Sequence, residues 1–152
     1  MSVIGLIARA LGLAREAGGP DDWLVIRSAT DKPVSILCVR ATLPNEVVRR
    51  KFPIEASLSI AFEASESGMP DYEGDLVALD GFEEVLRARD PNQQLFLQAI
   101  RSTGNGKREW TFYVTSEISF LQLLGDEPVV DRIFRLDPEW SRLRDILSRT
   151  KG

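Results

Sequence analysis

Arg108, Glu109, Trp110 and Tyr113 crowd into one short stretch, and Asp137 and Trp140 form a second group nearer the C-terminus. Trp, Tyr and Arg dominate binding hot spots, because each desolvates a large amphipathic surface. These residues are therefore the candidate binding set. Carboxylates at Glu109, Asp137 and Glu139, with Tyr113 in a cleft, could instead do acid–base work, but that depends on separations only folding fixes. A structural reading competes with both. In it Trp110 fills core, Arg108 and Glu109 pair across strands, Tyr113 turns its hydroxyl outward, and Trp110 meets Arg101 in a cation–π contact.

Much other chemistry is removed by composition. The 152 residues include no histidine and one cysteine, Cys38. Histidine general-base catalysis, Ser-His-Asp and Cys-His constellations, thiolate zinc clusters and intrachain disulfides all lose their parts. No serine sits in a Gly-x-Ser-x-Gly elbow. The Gly104-Asn-Gly-Lys107 run is too short for a phosphate loop, and Arg108 stands where Ser or Thr is needed. Asp71, Glu73 and Asp75 alternate like the start of a calcium loop, yet Leu76 replaces its glycine and Phe82 its bidentate glutamate. No catalytic residue, metal or cofactor is assigned. A net charge of -4 argues against a general phosphate-backbone binder, so nucleic acid is not expected as a partner. No apolar run is long enough to span a bilayer, and the usage of Cys38 fits a reducing cytoplasm.

The elements that position the candidate residues follow from periodicity. Residues 94–114 read as a hairpin around Asn105-Gly106, whose tolerance of positive φ suits a type I′ turn. With Gly104 opposite Lys107, Leu95, Leu97 and Ala99 share a face with Trp110, Phe112 and Val114, while Gln98, Thr111 and Tyr113 share the other. Residues 1–20 are expected to form an amphipathic helical segment closed by Gly18-Gly19-Pro20, with 21–152 as a single domain. Nothing in 1–19 has the charge order of a secretory leader. Strands are expected at 23–29, 34–43, 54–63 and 129–136 from β-branched content and alternation. The basic cluster Arg49, Arg50 and Lys51 falls in a solvated linker over 44–53.

A helix from Asp75 turns Leu76, Leu79, Phe82, Val85 and Leu86 inward, and Asp90-Pro91-Asn92 ends it. Ser116 caps a short helix to Leu124, with Gly125 as terminator. Asp137 caps a last helix with Pro138 in its first position, and Trp140, Leu143, Ile146 and Leu147 lie along one side.

From residue 54 the order is strand, helix, strand, strand, helix, strand, the split βαβ arrangement of ferredoxin-like sandwiches. The fold expected is therefore α+β: an antiparallel sheet with both helices on one face, extended by the N-terminal hairpin at 23–43. The C-terminal helix should pack at one end or on the helical layer, leaving the other sheet face partly polar and available for contact.

The motifs Glu66-Ser-Gly-Met-Pro70, Phe82-Glu-Glu-Val-Leu86, Gly106-Lys-Arg-Glu-Trp-Thr-Phe-Tyr113 and Asp137-Pro-Glu-Trp140 together resemble the bacterial domain-of-unknown-function family six-nine-five (DUF six-nine-five) over residues 23–147. The hairpin and the Asp-Pro-Glu-Trp start also resemble the RraB family, regulators of ribonuclease E activity. That resemblance implies a ferredoxin-like sandwich that inhibits by binding its target enzyme and has no catalysis of its own. The strong acidity expected of that inhibitor is only mild here. The leading expectation is a cytoplasmic protein-binding or regulatory module using Arg108, Glu109, Trp110, Tyr113, Asp137 and Trp140. The alternatives are an enzyme using carboxylates and Tyr113, and a toxin-neutralising immunity-type protein.

Overall fold

The computed structural model describes residues 22–27, 35–65, 68–70, 73–129 and 131–150. The expected helical segment at 1–20 and the turn at 30–33 lie outside them. The described chain is α+β, with strands β1 (Trp23–Arg27), β2 (Ser35–Arg40), β3 (Ile54–Ala61), β4 (Phe96–Gly104), β5 (Lys107–Val114) and β6 (Asp131–Leu136). Its helices are α1 (Glu46–Lys51), α2 (Glu73–Arg89), α3 (Glu117–Leu124) and α4 (Ser141–Thr150). All strand pairings are antiparallel, and the open sheet runs β1-β2-β4-β5-β3-β6.

The β4–β5 hairpin turns at Asn105 (φ 53°) and Gly106 (φ 78°), both in the left-handed region that a type I′ turn requires. Gly104 pairs with Lys107, and the expected register holds as far as Ile100 opposite Thr111. There it slips. A β-bulge between Gln98 and Ile100 brings Gln98 opposite Phe112 and Leu97 opposite Tyr113. Because side chains alternate with period two, one extra residue reverses every later assignment. Leu97 and Ala99 therefore pack with Tyr113, not with Trp110 and Phe112, and Gln98 crosses to the other face.

Both faces carry a core. On one, Leu79, Phe82 and Leu86 of α2 and Phe120, Leu123 and Leu124 of α3 cover Ala56, Leu58, Trp110, Phe112 and Val114. On the other, Trp140 and the α4 residues Leu143 and Leu147 cover Val39, Leu97, Ala99, Ile100 and Tyr113. The C-terminal helix is thus neither at the sheet end nor in the helical layer. The apolar set that the bulge turns toward Tyr113 needed its own cover, and the second face is only partly open.

Two boundaries differ for local reasons. The linker at 44–53 contains α1, capped by the Asn45 side chain accepting from the Val48 N–H at 3.0 Å. Arg50 pairs there with Glu46 one turn back at 2.6 Å. The last helix begins at Ser141 and not at Pro138, because Trp140 sits at φ 55° and closes a turn through its N–H to the Asp137 carbonyl at 3.0 Å. Such a conformation costs a bulky residue about 1–2 kcal/mol, offset here by complete burial of the indole. Asp137 still caps, its Oδ1 accepting from the Ser141 N–H at 3.0 Å.

Candidate functional site

The six candidate residues do not form one group. Alternation along β5 sends Arg108 and Trp110 to the α2 face and Glu109 and Tyr113 to the α4 face. Trp110, Tyr113 and Trp140 are all 0% exposed, so none can be touched by a partner without unfolding.

On the α2 face, Trp110 packs on Phe82 with ring centroids 4.8 Å apart. Its indole N–H donates to Glu83 Oε1 at 2.6 Å. Arg101, directly across the strand, donates to both oxygens of the same carboxylate at 3.0 and 3.1 Å. The register expected for Arg101 and Trp110 is present, but they meet through Glu83 and not through a cation–π contact. Burial alone would lower the Arg101 pKa, yet the neighbouring Glu83 and Cys38 more than reverse it and hold it above the ordinary value. Arg108 does not pair with Glu109. It donates to Thr103 Oγ1 at 2.8 Å and Asp80 Oδ1 at 2.7 Å, while Glu109 takes Lys107 at 2.6 Å.

On the α4 face, the Tyr113 ring stacks on Trp140 at 4.1 Å and 8°. The Tyr113 hydroxyl points inward, donating to Asp137 Oδ2 at 2.9 Å, and the Trp140 indole N–H donates to the Phe52 carbonyl at 2.9 Å. Burial first, and then the Asp137 carboxylate that accepts its proton, push the Tyr113 pKa far above the phenol range. For Asp137, burial works to raise the pKa, but hydrogen bonds from Ser141 and Tyr113 win and lower it. Glu55 lies beside this group, its side chain 4% exposed and held by Arg135 at 2.8 Å and Arg142 at 3.4 Å.

The arrangement is a scaffold. Asp137 is committed to Tyr113 and Ser141, Glu139 lies near Arg144 at 3.1 Å, and Glu109 is taken by Lys107. Three carboxylates with three separate partners do not converge on a reacting atom. Glu83 and Glu55 were missed by sequence reasoning. Glu83 had a signal, since positions 79, 82, 83 and 86 share the inward helix stripe; Glu55 had none, because its strand alternation put it on the water side.

The feature these clusters position is β6. Among the described residues it closes one margin of the sheet and pairs with β3 alone. The Asp137 N–H donates to the Pro53 carbonyl at 2.8 Å, so the bonded pairs that alternate along this ladder fall at Arg135–Glu55, Ile133–Ser57 and Asp131–Ser59. The backbone groups of Arg132, Phe134 and Leu136 consequently face outward. Ile133 (63% exposed) and Leu136 (72% exposed) add apolar surface to the same margin. Phe134 anchors it from beneath, its ring 6.3 Å from Phe120.

A concavity of about 390 Å³ lies between α2, the end of β3 and the loop after α3. Its walls include Ile60, Phe62, Phe82, Val85 and Pro128, with Asp75 and Glu127 also lining it. Glu127 is already paired with Arg89 at 2.9 Å. Among the described residues, no group of three or more His, Cys, Asp or Glu side chains could hold a metal ion, and no helix is long and apolar enough to cross a membrane.

Comparison with protein-family models, with curated proteins and with solved structures finds no match. The functional reading therefore rests on the molecule's own geometry.

Proposed function

We propose that this chain is a protein-binding, regulatory module that takes an extended strand of its partner on the outer margin of β6. The observation that carries the reading is the outward backbone of Arg132, Phe134 and Leu136 beside exposed Ile133 and Leu136. Unpaired N–H and C=O groups on a sheet margin are a template for strand addition, with affinity from main-chain bonds and selectivity from alternate side chains. The buried Tyr113–Asp137–Trp140 group, and buried Glu55 with the half-exposed Arg135 that pairs with it, serve it by fixing the register and exit angle of β6.

The same proposal includes a ferredoxin-like core made of β3, α2, β4, β5, α3 and β6. Support comes from the sheet segment β4-β5-β3-β6, in which each helical crossover joins strands separated by one antiparallel neighbour. The RraB resemblance noted in the sequence agrees with a binder that performs no chemistry, and a toxin-neutralising protein would be one form of it. A reducing, cytoplasmic setting accords with the buried free thiol of Cys38. The enzyme reading draws no support from carboxylates that each hold a different partner.

Arg132→Pro is the decisive variant. It removes an outward donor while sparing the ladder to β3, a position where an edge strand tolerates proline. Capture from lysate on immobilised wild type should yield a partner that the folded Arg132→Pro protein fails to retain. Equal retention by both proteins would exclude strand addition at β6.

A further inference from the structure

We infer that the strand β6 accepts is β6 of a second copy of this chain, antiparallel, with the two-fold axis passing through Ile133. This rests on the reading of β6 as a docking margin and names its partner. The argument starts from which backbone groups are available. Only Arg132, Phe134 and Leu136 present theirs outward, so a symmetric antiparallel pair must match outward residues with outward residues. That condition requires the axis to pass through a residue and forbids an axis between two residues.

Charge then selects among the allowed registers. An axis at Arg132 would set that guanidinium against its own copy. An axis at Phe134 would set Asp131 against Asp137. An axis at Ile133 sets Asp131 against Arg135 of the partner subunit on both sides, Arg132 against the partner's Phe134, and Ile133 against itself. Directly opposed residues share a face, so each pairing brings side chains into contact: two ion pairs, two cation–aromatic contacts and one aliphatic contact.

Charges on an edge strand ordinarily guard it against such pairing. Here Asp131 and Arg135 face each other in this register only. The two Arg132–Phe134 pairs alone supply four main-chain hydrogen bonds, and a continuous twelve-stranded sheet results from joining two six-stranded ones. Ile133, 63% exposed in the single chain, loses part of that exposure to its own copy at the axis. A single strand pair is a small interface, so association should depend on concentration.

The register can be read by cross-linking. In a non-bonded antiparallel pair, Cα atoms stand about 4.5 Å apart, inside the range a disulfide accepts. In a Cys38→Ser background, Ile133→Cys should give a covalent dimer under mild oxidation. Asp131→Cys should not, because its copy lies four residues along the strand, about 13 Å away. Sedimentation of the unmodified protein from micromolar to near-millimolar concentration should pass from one chain mass to two. Ile133→Lys, on a side chain already mostly in water, should weaken that association at least tenfold with the circular dichroism spectrum unchanged.

A wild-type protein that stays monomeric throughout, or cross-linking at 131 equal to that at 133, would overturn the inference. If the monomer still captured another protein in a manner lost with Arg132→Pro, only the second copy would fall as the partner. A dimer indifferent to both Ile133→Lys and Arg132→Pro would overturn the inference and the reading of β6 together.

Discussion

Tyr113→Phe removes one hydroxyl and almost nothing else. The ring keeps its stacking on Trp140 at 4.1 Å, while Asp137 Oδ2 loses the donor at 2.9 Å. Hydrogen bonds to charged groups contribute about 1.5–3 kcal/mol, so urea unfolding at pH 7 should show a loss of about 2 kcal/mol. The pH dependence supplies the sharper check. Tyr113's folded pKa is raised, by burial and by the Asp137 carboxylate. The neutral phenol's contribution is therefore fully present below the unfolded value of about 10 and is lost as pH rises toward the folded one. Above pH 10 the wild type should lose about 1.4 kcal/mol per pH unit from this group, a loss the Phe variant cannot show. The gap between the two proteins should close by about pH 11 to 12. A gap constant from pH 7 to 11, or a loss under about 0.5 kcal/mol at neutrality, would refute the reasoning.

Glu83→Ala should cost about 3 kcal/mol in urea unfolding, because it strands the Arg101 guanidinium and the Trp110 indole N–H; in an Arg101→Met background the cost should fall by about 1 kcal/mol or more. Gly81→Ala should stabilise the protein by about 0.5–1 kcal/mol, since the added Cβ meets nothing within 4 Å and the site is inside α2; a raised melting temperature is the readout. Asp137 is lowered in the folded state, so its contribution is present above about pH 4 and lost as pH falls through the folded value. Asp137→Asn should accordingly flatten the acid limb of stability measured between pH 5 and pH 2.5.

The elements were legible because they rest on local physics. Asn105-Gly106 announced its turn, Ser116 and Gly125 bounded α3, and the period of Ile54, Ala56 and Leu58 announced a strand, although Glu55 and Ser59, which that period put on the water side, are buried as well. The antiparallel α+β sheet follows from their order. What escaped were single-residue events with long reach. The bulge at Gln98–Ile100 carries no glycine and leaves no mark on the pattern, yet it sends Leu97 and Ala99 to a second core and so decides where α4 must pack. Trp140 at positive φ looks from sequence like an ordinary first-turn residue; its stacking on Tyr113 and its hydrogen bonds to the Asp137 and Phe52 carbonyls hold it there.

The candidate site was legible as residue types and not as a surface. Aromatic and charged side chains at 108–113 stood out as a binding set, but the partners that consume them, Glu83, Asp80 and Asp137, lie 24–28 residues away in sequence. Such pairings are set by helix and strand packing, which no local pattern encodes. The outward margin of β6 was invisible for the same reason. Which of its backbone groups are spent depends on its neighbour, and that neighbour is β3, far upstream.

Amide hydrogen exchange along β6, followed by NMR as protein concentration rises, tests the central claim most directly. In dilute solution Ile133 and Arg135 should exchange slowly, bonded to β3, while Arg132 and Phe134 exchange fast. At high concentration Arg132 and Phe134 should become protected as well. Equal protection of all four amides in dilute solution, or fast exchange of Arg132 and Phe134 at every concentration, would contradict the account.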